Sequence, residues 1–224
     1  MIQEILLHTL PQAYGLHREH IKLNISELSG DETLSVTRRC ANCKTKLNHQ
    51  CNEQNMRINT NTATVTVVDH ELYINQFNGT QFGKGKNCDY LLVDDSGCNY
   101  KIALCELTCS LAENVEPNEK RTKLPEGKRA KVMAQLEESA HRLVTKDDTK
   151  TYVERFEHRH CIFGWRDPFV SDAPIVPKRG NIEANMMIMG VATSGSEPIL
   201  LHRKDICGLE FVFYQVKYPT IYKW

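Results

Sequence analysis

Residues 83–109 read GKGKNCDYLLVDDSGCNYKIALCELTC. Two apolar runs, residues 88–93 (CDYLLV) and 100–107 (YKIALCEL), flank Asp94-Asp95-Ser96-Gly97, which has turn chemistry. The spacing predicts two neighbouring antiparallel strands. The second is almost continuously apolar, the pattern of a strand buried on both faces at the centre of a sheet. Asp89 opens the first strand and Glu106 stands near the end of the second. Antiparallel pairing then brings both carboxylates to one edge of the sheet. A lone carboxylate is costly to bury, so Glu106 in this apolar run calls for a partner. Two carboxylates at a sheet edge can hold a magnesium or manganese ion, because hard cations prefer oxygen ligands. A metal held there polarises a phosphodiester and lowers the pKa of an attacking water.

Outward from this stretch the pattern alternates between helix and strand. Residues 113–127 are polar, with Pro117 and Pro125, and read as a loop. Residues 128–144 (KRAKVMAQLEESAHRLV) read as a helix, with Val132, Leu136, Ala140 and Leu143 in one apolar stripe. Further strands are expected at 158–165, 185–191 and 210–216, with a loop marked by Pro168, Pro174, Pro177 and Gly180. Upstream, 63–68 (ATVTVV) and 71–77 (ELYINQF) read as a hairpin across Asp69-His70, closed by Asn78-Gly79. Residues 2–10 read as a short helix ended by Pro11. Residues 15–61 are polar with poor periodicity. The expected class is α+β, an α/β-like core with a central mixed sheet flanked by helices. The expected division is a helix and Cys-rich polar extension over 1–61 and a core over 62–224, together one compact unit.

The 224 residues contain 28 Lys plus Arg and 28 Asp plus Glu. Zero formal charge excludes a chain coated in basic residues and an acidic tail protein, and leaves room for a local basic patch. Hydrophobic residues at 41% and charged residues at 25% are globular proportions. No run approaches the roughly 20 apolar residues of a membrane span. The first residues, MIQEILLHTLPQAYG, lack the basic start and long apolar run of a secretory signal. Nine cysteines then read as free thiols in a reducing cytosol, so the expected location is cytoplasmic.

An Asp opening a strand, a short turn, an apolar strand carrying a second acid, and then a helix resembles the PD-(D/E)xK nuclease superfamily, the restriction-endonuclease-like fold. The resemblance covers residues 86–144, about a quarter of the chain. Asp89 matches the first acid and Glu106 the second. Gln135, on the following helix, resembles a glutamine that several of these families carry there. The resemblance implies metal-dependent hydrolysis of phosphodiester bonds in DNA, less often RNA, and a role in defence against foreign DNA. It also implies magnesium or manganese at Asp89 and Glu106, and a homodimer as in many relatives. The chain departs from the family at Thr108, where the motif has lysine. Lysine would orient the attacking water and offset transition-state charge, whereas a threonine hydroxyl only hydrogen-bonds water. Lys131, one helical turn before Gln135, and Lys84 and Lys86, just upstream of Asp89, are the candidate replacements. Lys101 lies five residues from Glu106 and points to the other sheet face. Glu4 is a further candidate metal ligand. The resemblance also leaves open a catalytically inactive protein of the same fold that binds nucleic acid or protein.

Residues 38–51 (RRCANCKTKLNHQC) place Cys40, Cys43, His49 and Cys51 together. This is either a zinc set of soft ligands or a thiol-rich polar loop. The remaining cysteines read as small core residues. His158 and His160 alternate onto one face and either contact phosphate or metal or form a solvated edge. Lys84, Lys86, Lys120, Arg121, Lys123, Lys128, Arg129 and Lys131 gather around the acidic pair in sequence. They form either a surface for phosphate or an ordinary solvated loop. The aromatic C-terminal run FYQVKYPTIYKW reads as core packing or a partner surface.

Overall fold

A computed structural model describes residues 1–16, 20–36, 54–95, 100–110, 112–122, 124–166 and 197–224. The elements are helix α1 (residues 2–13), strands β1 (Ile25–Val36) and β2 (Gln54–Asp69), helix α2 (His70–Asn75), and strands β3 (Tyr90–Asp94) and β4 (Lys101–Cys109). Helices α3 (Ala112–Val115), α4 (Gly127–Val144) and α5 (Asp147–Glu154) follow. The chain ends with strands β5 (His158–Arg166), β6 (Ile199–Ile206), β7 (Leu209–Lys217) and β8 (Ile221–Lys223).

β4 is buried at every residue, as its apolar run requires, and it forms the middle of the sheet. The strand order is β1-β2-β3-β4-β5-β7-β6, with β8 beside β2. β2, β3 and β4 form an antiparallel meander, while β5 and β7 run parallel to β4. Parallel neighbours need a crossover connection, which α4 and α5 supply between β4 and β5. The chain is therefore an α+β protein built on a central mixed sheet. Among the described residues, no helix is long and apolar enough to cross a membrane.

Strand alternation divides the interior into two cores. On one face Leu91, Val93, Ile102, Leu104 and Phe163 meet the helices through Leu6, Leu10, Ile74, Val132, Leu136 and Ala140. The helical stripe expected on 128–144 is the one that is buried. On the other face Leu92, Ala103, Cys105, Leu107 and Ile162 meet Met56, Ile58, Tyr222 and Trp224. The helices thus share one face, and a strand layer covers the other. The β1/β2 ladder slips register between Ser29 and Asp31, where Gly30 takes a φ of +77° and donates its N–H to Thr60 Oγ1 at 2.8 Å. Such an irregularity bends a hairpin. Beyond it, the far half of the hairpin packs over the sheet, and Met56 lies against Gly164, whose missing side chain leaves the room.

Four expectations are corrected. Residues 25–36 and 54–61 are strand rather than irregular polar chain; buried Leu28, Leu34, Met56 and Ile58 alternate there with exposed or half-buried polar residues. Residues 71–77 are not a strand. Asp69 Oδ1 accepts the Leu72 N–H at 2.8 Å, a helix N-cap that starts α2. The helix at the N-terminus continues past Pro11 to Ala13, through a π-helical stretch over Ile5–Thr9. Proline cannot donate to the carbonyl four residues back, and a widened turn accommodates it. The boundary drawn at 61/62 falls inside β2, and Ile2, Leu6 and Leu10 belong to the main core. The strand expected at 185–191, the loop over 168–180 and the cluster of Cys40, Cys43, His49 and Cys51 lie outside the described residues. The aromatic C-terminus packs inward, with Tyr222 and Trp224 buried.

Candidate functional site

The β3/β4 ladder pairs Tyr90 with Cys105. Asp89 is one residue outside that rung and Glu106 is one residue outside it on the partner strand, so the two acids face each other across the ladder. Both are buried, at 7% and 8% exposure. Asp89 is fixed at two points. Its carbonyl accepts the His70 and Glu71 N–H groups at the start of α2, at 2.9 and 3.3 Å. Its carboxylate Oδ2 accepts the Leu107 N–H at 2.7 Å, taking the place a main-chain carbonyl would hold in the ladder.

Glu106 lies on the helical face of β4, two residues from Leu104. Gln135 Nε2 on α4 donates to Glu106 Oε1 and to the Asn87 carbonyl, both at 3.1 Å. A carboxylate only accepts, so the amide nitrogen must face it. That leaves Gln135 Oε1 buried and accepting no hydrogen bond among the described residues.

Gln135 begins a polar stripe on α4. Glu138, Ser139 and Arg142 follow at i+3, i+4 and i+7 and share its face. Glu138 Oε2 accepts the Lys86 N–H at 3.1 Å and Ser139 Oγ accepts the Cys88 N–H at 3.0 Å. Arg142 donates to Asn87 Oδ1 at 2.5 Å and to the Lys84 carbonyl at 3.1 Å. The loop that delivers Asp89 therefore lies on the helix with its polar groups matched. Gly85 has a φ of +102°, and a Cβ there would sit 1.7 Å from Glu138 Oε1. Lys84 and Lys86 are exposed on this loop.

Asp89, Glu106 and Gln135 are thus brought together. Thr108 is buried two residues beyond Glu106, on the same face. Lys131 is half-buried one turn before Gln135 and makes no ion pair among the described residues. Lys101 lies on the opposite sheet face, as its spacing predicts, over the rings of Tyr222 and Trp224. Glu4 does not join the acids: it is exposed beside His8, on a helix whose Met1 amino group contacts Asp95 at the other end of β3. Among the described residues, no group of three or more His, Cys, Asp or Glu side chains is arranged around a metal position.

Sequence reasoning missed His70 and Cys88, whose Nδ1 and Sγ lie 3.4 Å apart. They are not an activated nucleophile and base. Both are fully buried; burial pushes the thiol well up, and burial with nearby Arg142 pushes the imidazole down to about 4. A reactive thiolate needs the reverse. It also missed Asn87, Glu138, Ser139 and Arg142. The glycines of Gly83-Lys84-Gly85 were the available signal, since they mark close approach of the loop to its neighbours.

Comparison with protein-family models, with curated proteins and with solved structures gives no match.

Two outcomes follow from this geometry. Gly85→Ala adds both backbone strain and a collision with Glu138, and is expected to cost about 1–3 kcal/mol in urea unfolding. Adding Glu138→Ala removes the collision and recovers part of the loss; no recovery would show that the loop does not rest on that side chain. The second outcome concerns pH. The unfolded chain protonates His70 from about pH 6.5 downward, while the folded protein resists until about 4. Stability attributable to this histidine is therefore fully present above pH 6.5 and lost as pH falls through that window, roughly 3 kcal/mol by pH 4. His70→Asn should flatten the pH dependence of the unfolding free energy between pH 7 and 4 by that order. An unchanged slope would contradict the assignment.

Proposed function

We propose that this chain is a divalent-metal-dependent nuclease that hydrolyses phosphodiester bonds in DNA. The observation that carries the reading is the meeting of Asp89 and Glu106 across the β3/β4 ladder, with Gln135 of α4 on the second acid. This is the order of elements and side chains that the PD-(D/E)xK resemblance implies. The donor set is all oxygen: two buried carboxylates and the remaining carbonyl oxygen of Gln135. Magnesium suits such a set, because it is commonly held by one or two carboxylates with water and substrate phosphate completing its shell. A bound magnesium or manganese ion would supply Lewis acidity toward the phosphate and an acidified water.

The chain's own residues do the rest. Asp89, anchored by the Leu107 N–H, and Glu106, anchored by Gln135, hold fixed oxygens at the sheet end. Gln135 also presents Oε1 to a water. Lys84 and Lys86 project from the loop before Asp89 and offer positive charge to a phosphate backbone, and Lys131 stands one turn along α4. Thr108 lacks the charge of the motif lysine, so these lysines replace it at longer reach. The cytoplasmic location and the role against foreign DNA belong to this same proposal; Cys88, Cys105, Cys109, Cys161 and Cys207 form no disulfide among the described residues, which suits a reducing compartment.

Thr108 favours a second reading, a protein of the same fold that binds nucleic acid without cutting it. Incubation with plasmid and with RNA in magnesium and in manganese separates the two. The nuclease reading expects metal-dependent cleavage of plasmid, abolished by EDTA, and reduced about 100-fold or more in Asp89→Asn and in Glu106→Gln. Retardation of DNA without cleavage supports the second reading. Cleavage equal in wild type and both variants overturns the assignment of the acids.

A further inference from the structure

The opposite end of the sheet carries a pocket that the acidic site does not use. β4, β5 and β7 run parallel, so their N-terminal halves meet there. On the strand-covered face, the register sets Lys101 beside His158, His160 beside Val212, and Arg203 of β6 across from Val212. With Tyr214 and the rim residues these side chains line an open pocket of about 390 Å³, within the size range of small-ligand sites.

Its charge is uneven. Glu210 is committed to Arg203 at 2.7 Å, and both are more than half exposed. Arg159 is committed to the main-chain carbonyls of Glu210 and Phe156. Glu157 is exposed at the rim. Lys101 is different. It is 8% exposed and lies 5.8 and 5.1 Å from the ring centres of Tyr222 and Trp224. Asp94, opposite it in the ladder, lies 3.4 Å from Trp224 Nε1. Burial lowers the Lys101 pKa, and the Asp94 carboxylate acts on it from across the ladder in the opposite direction. His160 bonds the Tyr222 hydroxyl through Nδ1, which leaves Nε2 for the cavity. Burial, and then Lys101, His158 and Arg203 around it, push the His160 pKa down to about 3. In the tautomer whose Nδ1 accepts the Tyr222 proton, the neutral ring carries its own proton on Nε2 and donates it.

We propose that this pocket binds a phosphate group, with Lys101 as the buried counter-charge, His160 Nε2–H and the Tyr214 hydroxyl as neutral donors, and Arg203 at the mouth. A buried ammonium beside neutral donors is the complement of a compact oxyanion, and the volume leaves space for a small group esterified to it.

The test is titration with inorganic phosphate and, separately, with a nucleoside 5′-monophosphate, followed by phosphorus NMR or calorimetry in EDTA. EDTA and a parallel Glu106→Gln sample keep the acidic site out of the readout. Binding is expected in both wild type and Glu106→Gln. It should weaken at least tenfold in Lys101→Met and severalfold in Arg203→Gln, an exposed position whose change leaves the fold intact. The tighter of the two probes tells whether the group arrives free or as an ester. Absence of binding by either probe, or equal binding in Lys101→Met and Arg203→Gln, overturns the proposal.

Discussion

The acidic end of the sheet depends on the hydrogen bonds that α4 extends to the loop before β3. Burying two carboxylates side by side is unfavourable unless their oxygens and the main chain around them are matched. Gln135, Glu138, Ser139 and Arg142 do this along one helical face, engaging Glu106 directly and the loop 84–88 through its amides and carbonyls. Once that loop is seated, Asp89 falls opposite Glu106, and the Leu107 N–H locks its carboxylate. The same helix buries Val132, Leu136 and Ala140 against the sheet. A single element thus joins the core to the site, and the position of the acids is set by packing rather than by loop chemistry alone.

How much of this is legible in the sequence depends on the range of the signal. β3, β4 and α4 are readable because each has a clean period: two apolar runs about a turn, then Val132, Leu136, Ala140 and Leu143. The pairing of Asp89 with Glu106 follows from those periods. β1 and the first half of β2 are not readable, because polar residues such as Ser26, Ser29, Thr33 and Asn61 are exposed and the few buried side chains, such as Leu34 and Met56, are spaced around an irregular bend. Residues 70–75 mislead because His70-Glu71-Leu72-Tyr73-Ile74 fits both a two-residue and a helical period; the N-cap at Asp69 decides for helix. The contacts of Arg142 with Asn87 and Lys84 span more than fifty residues and leave no local trace.

The parallel run of β4, β5 and β7 also gives the sheet two chemically different ends. Oxygen donors gather where β4 finishes, on the helical face. Nitrogen donors gather where β4 and β5 begin, on the face covered by the hairpin. Lys101 and Glu106 lie five residues apart on one strand, and alternation sends them to opposite faces, so their charges cannot neutralise each other. Each instead sits in a separate local environment, Glu106 beside Gln135 and Lys101 over the rings of Tyr222 and Trp224, within a chain whose total charge is zero.

The account turns on whether Asp89 and Glu106 share an ion. An anomalous difference map from crystals soaked in manganese tests this directly. The account predicts one peak bonded to oxygens of both carboxylates at about 2.0–2.6 Å. A map with no peak between them, or with manganese bound only elsewhere on the chain, would contradict it.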